Sequence, residues 1–76
     1  MSFESLSEAQ RAALERACKT GWTSCMPSTG RSLIRLGYAL HLHPDGRSAM
    51  MKGLLKIRPS ENGIRLYENY KDGENA

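Results

Sequence analysis

The chain has little of what marks secreted, membrane-bound or cofactor-binding proteins. It holds two cysteines, Cys18 and Cys25, in 76 residues, too few for a disulfide scaffold. No run approaches the ~20 apolar residues that span a bilayer. The N-terminus carries Glu4 and Glu8 and no basic stretch ahead of an apolar one, so no secretory signal is expected. The seven glycines are scattered and form no phosphate-cradling loop. With one Trp, three Tyr, one Phe and 39% apolar residues, the chain can build one thin core but not the walls of a deep catalytic cleft. These absences predict one domain in a reducing cytoplasm, with no cofactor, no membrane and no enzymatic activity.

Acidic side chains are also scarce in the middle of the chain. Residues 1–26 balance Arg11, Arg16 and Lys19 against Glu4, Glu8 and Glu15. Residues 27–58 carry Arg31, Arg35, Arg47, Lys52, Lys56 and Arg58 against Asp45 alone, a net of +5. Residues 59–76 set Arg65 and Lys71 against Glu61, Glu68, Asp72 and Glu74, a net of −2. The whole excess of +3 therefore sits in the middle third. If the fold gathers it on one face, that segment suits a polyanion.

The hydrophobic pattern predicts helices over 7–20, 25–36 and 60–70 and a hairpin between 38 and 58. Ser7 and Gln10 have capping-box spacing, Ala13, Leu14, Ala17 and Cys18 recur at helical spacing, and Gly21 closes the helix. Trp22, the largest apolar side chain, is expected to anchor the next connection in the core, and Thr23 or Ser24 to cap a second helix that carries Leu33 and Leu36. Tyr38, Leu40 and Leu42 alternate with Ala39, His41 and His43 as in a half-buried strand, Pro44-Asp45-Gly46 is a turn, and residues 54–58 return as the second strand. Asn62-Gly63 is a hairpin dipeptide, yet Ser60 can cap a helix in which Glu61 and Arg65 pair. The helix is the reading adopted. Residues 71–76 are expected to be a disordered polar tail beyond a domain of residues 1–70.

Cys18, Cys25, His41 and His43 include zinc-ligand types, but the cysteine spacing is wide and Cys18 belongs to an apolar stripe, so no metal is expected. Asp45 is the only acid near the histidines in sequence and no nucleophile-elbow pattern is present, so catalysis is not expected either.

Three stretches carry a family resemblance: LSEAQRAAL at 6–14, STGRSLIRLGY at 28–38 and LKIRPSENGIRLY at 55–67. In this order they resemble the first helix, the recognition helix with the first wing strand, and the second wing strand with a last helix of small winged helix-turn-helix proteins of phage and prophage type. The resemblance covers about half the chain. Residues 22–27 stand where the family has a separate second helix and leave room for one turn at most.

The resemblance implies an α+β fold with a two- or three-stranded antiparallel wing. It also implies a non-catalytic regulator that binds double-stranded DNA, with a homodimer open to it. Ser28, Thr29, Arg31, Ser32 and Arg35 would then face the groove from the recognition helix, where arginines read guanine edges. Arg47, Lys52, Lys56 and Arg58 would lie on or beside the wing and contact phosphates without regard to sequence. The alternative is a small inhibitor of phage anti-host or anti-CRISPR type that binds a host protein complex on the same scaffold. Met50 and Met51, adjacent and adaptable, would form its contact surface.

Overall fold

Ser7 opens the first helix as its spacing requires. Its side chain accepts from the Gln10 N–H at 3.2 Å, and the Gln10 amide oxygen accepts from the Ser7 N–H at 2.8 Å. Helix α1 (Glu8–Thr20) buries Ala13, Leu14 and Ala17 and ends where the Gly21 N–H bonds the Ala17 carbonyl. The computed structural model describes residues 3–43, 50–51 and 53–75, with positions 50, 51, 74 and 75 as backbone alone.

After α1 come β1 (Thr23–Cys25), α2 (Pro27–Arg35), β2 (Ala39–His41), β3 (Met50–Met51), β4 (Leu54–Pro59) and α3 (Glu61–Asn75), with a short 3-10 turn at Phe3–Ser5 ahead of α1. The result is a small α+β domain. Its sheet is antiparallel with β4 at the centre. Leu55 pairs with both Cys25 and Met50, and Ile57 pairs with both Thr23 and His41. A strand residue has only two neighbours, so β1 takes one edge of β4 while β2 and β3 share the other. The expected pairing of 38–43 with 54–58 is present. The Pro44-Asp45-Gly46 turn, Arg47 and Lys52 lie outside the described residues.

Leu55 and Ile57 point inward and join Leu14, Leu33 and Ala39 in the core, where Leu14, Leu33 and Ile57 are fully buried. Helices α1 and α2 cover that inner side. Gly30 explains how α2 comes so close: a Cβ there would fall 2.6 Å from Leu55 Cδ2 and 3.1 Å from Cys25 Sγ. At the N-terminal end Phe3 is buried, its ring centroid 5.7 Å from Tyr67 and 4.5 Å from Tyr70. The sequence reading gave Phe3 no role.

Four expectations need correction. The segment 23–25 is an edge strand, so α2 starts at Pro27, whose missing N–H costs nothing in a first turn. Trp22 is 45% exposed and anchors no core. In β2 it is Ala39 that turns inward, while Leu40 is 42% exposed. The register sets this: Ala39 stands opposite Pro59 and Leu40 opposite Arg58, which alternates outward from Ile57. Finally, α3 runs through Asn75, so residues 71–75 extend the helix where a disordered tail was expected.

Helix α3 settles the ambiguity at 60–70. Ser60 caps it, its hydroxyl accepting from the Gly63 N–H at 3.1 Å and donating to the Gly37 carbonyl at 2.5 Å. The Ser60 N–H bonds the Tyr38 carbonyl at 3.0 Å. The end of β4, the turn before β2 and the start of α3 are thereby tied at one point.

Candidate nucleic-acid interface

Helix α2 divides cleanly by its period. Gly30 and Leu33 are buried and Ile34 packs against the core. Ser28, Arg31, Ser32 and Arg35 fall at i, i+3, i+4 and i+7 on the other side, with Ser28, Arg31 and Arg35 exposed and Ser32 and Thr29 partly so. The helix contains no acidic residue. Among the described residues the two side-chain ion pairs are Lys19–Glu15 at 3.5 Å and Arg65–Glu61 at 3.8 Å, both within one turn of α1 or α3. Arg31 and Arg35 enter neither. The structure therefore brings together four of the five α2 residues expected at a groove, Ser28, Arg31, Ser32 and Arg35, while Thr29 turns toward the side of the buried Leu33.

It separates them from Lys56 and Arg58. Those two alternate with Leu55 and Ile57 along β4 and project from the outer side of the sheet, away from α2. Lys56 stands opposite Ser24 and Arg58 opposite Leu40. The Lys56 ammonium lies 5.4 Å from the centre of the Trp22 ring, a cation–π distance. The basic segment thus forms two surfaces with the sheet between them, where the sequence suggested one.

The outer surface escaped the sequence reading. Trp22, Leu40 and Leu54 are each more than a third exposed and flank Lys56 and Arg58. The available signal was Pro27: a helix starting there leaves 22–26 free to extend. Three residues show no period, however, so β1 left no pattern to find.

The thiols are held by structure. Cys18 Sγ lies 4.0 Å from the Gly63 carbonyl and Cys25 Sγ 3.7 Å from the Leu55 carbonyl. Burial, followed by the nearby Glu68 carboxylate, pushes Cys18 up from 9.0 to about 11, and burial alone raises Cys25. Both stay protonated at neutral pH, the opposite of an activated nucleophile. Among the described residues no three His, Cys, Asp or Glu side chains converge, and no helix is long and apolar enough to cross a membrane.

The Cys18 shift sets a pH dependence. A thiol whose pKa is higher in the folded chain favours folding while it is protonated. Its contribution is whole below 9.0 and disappears as pH rises toward about 11. The urea midpoint is expected to fall across that window, and to fall less in Cys18→Ala. Equal slopes in the two proteins would remove Cys18 as the cause.

No protein family, curated protein or solved structure matches this chain.

Proposed function

We propose that the chain is a non-catalytic, duplex-DNA-binding module of winged helix-turn-helix type, a small phage-type regulator in which α2 reads the groove. The observation that carries the reading is the exposed, acid-free stripe of Ser28, Arg31, Ser32 and Arg35. Arginine forks match guanine edges and phosphates, and hydroxyls at a helix start serve phosphate oxygens. The element order supports the layout: helix, strand, helix, then three strands and a last helix, with β4 between β1 and β2. It differs from the usual motif in having one helix, α2, between the first helix and the wing strands where two would stand. In this reading β2 and β4, paired antiparallel, stand as the wing strands.

A second reading is favoured by the outer sheet surface. Trp22, Leu40 and Leu54 exposed around two cations suit a protein partner, as an inhibitor of a host complex would need. In that reading Met50 and Met51 lie on the strand that borders this surface.

Titration of a labelled duplex at two salt concentrations tests the leading reading. Binding at low salt that weakens steeply as salt rises is the expected result, because released counterions drive phosphate contacts. Absence of binding at low salt, where the electrostatic contribution is largest, rejects DNA and leaves the protein-partner reading.

A further inference from the structure

The outer sheet surface and helix α3 are complementary in charge and in spacing. Along β4, Leu54, Lys56 and Arg58 project on the same side, one every second residue. They are therefore about 6.7 Å apart. No acidic residue stands opposite them: the outward register partners are Ser24 for Lys56 and Leu40 for Arg58. On α3, Ile64, Glu68 and Asp72 are exposed and recur every fourth residue. That spacing is about 6 Å. Arg65 and Lys71 border this side, Arg65 paired with Glu61 at 3.8 Å, so the acidic groups on its centre line are Glu68 and Asp72.

We propose that a second copy of this chain covers the sheet surface with its α3. Ile64 then meets Leu54, Glu68 meets Lys56 and Asp72 meets Arg58, with the helix running parallel to β4. Leu54 and Ile64 are 37% and 39% exposed, so both apolar groups gain from the contact. In a two-fold pair each copy gives one sheet and one helix, and the three contacts are made twice. An aliphatic pair at this position suits a helix better than a nucleic acid, whose bases stack on aromatic rings. The pairing does not depend on DNA binding by α2, which lies beyond the sheet.

Trp22 reports on the surface directly, because it is the only tryptophan and it sits against Lys56. Sedimentation equilibrium and Trp22 emission are measured on the full chain without DNA, across the micromolar to submillimolar range. The expected result is a dimer at high concentration with a blue shift of the emission. Arg58→Asp and Asp72→Arg should each weaken dimerisation at least tenfold, and the chain carrying both should recover it, since the pair is re-formed with its signs exchanged. Far-UV circular dichroism confirms that each variant is folded. A wild-type chain that stays monomeric throughout overturns the proposal. So does a dimer indifferent to both single changes, or an oligonucleotide that shifts Trp22 emission while the protein stays monomeric. None of these results bears on the α2 stripe, which is judged by duplex binding alone.

Discussion

Gly63→Ala is expected to lower the thermal midpoint by about 10 °C, against the direction helix propensity gives. In an exposed helix interior Gly→Ala stabilises by about 1 kcal/mol. At Gly63 the new Cβ would fall on the Tyr38 carbonyl, closer than non-bonded atoms approach. Overfilling a packed site costs about 1–3 kcal/mol, and the obstacle here is backbone, already fixed by its bond from the Ser60 N–H. The cost belongs at or above the upper end of that range, which leaves a net loss of about 2 kcal/mol. A domain of this size shifts by roughly 4–8 °C per kcal/mol. Gly73 in the same helix is the control, since a Cβ there meets nothing within 4 Å. Gly73→Ala should hold or raise the midpoint. If the two variants melt alike, close approach is not what makes residue 63 a glycine.

The same glycine shows where the sequence was legible and where it was not. Asn62-Gly63 speaks locally for a hairpin, and Ser60 with the Glu61–Arg65 spacing speaks for a helix. The helix prevails because Ser60 meets both Gly37 and Gly63, a contact between segments more than twenty residues apart that no local pattern encodes. α1 was legible throughout, as its cap, stripe and stop are all local signals. The inner face of β4 follows its alternation, but β2 does not follow its own: pairing with β4 sends Leu40 outward and Ala39 inward. Pairing register is a tertiary property, and in a three-residue strand it overrides pattern. The α2 half of the candidate site was readable because a nine-residue helix sorts its residues by period. Its separation from Lys56 and Arg58 was not, because net charge along a sequence carries no information about which side of a sheet each charge leaves.

That separation decides the strongest test of the DNA reading. Arg31→Ala and Arg35→Ala are each expected to cost about 1–3 kcal/mol with the preferred duplex and to relax sequence preference. Fluorescence anisotropy would read this as a loss of roughly 5-fold to more than 100-fold in affinity. If either arginine contacts phosphate alone, its removal weakens all duplexes equally and reduces the salt slope by about one. Lys56→Ala and Arg58→Ala should leave duplex affinity within about twofold, because both side chains leave the sheet on the side opposite α2 and surface changes away from the contact are near neutral. Composition alone gives a different expectation, since all four cations belong to one +5 segment and should then contribute alike. A duplex that ignores Arg35→Ala but releases Lys56→Ala would place the polyanion on the outer sheet surface and remove α2 as the reading helix.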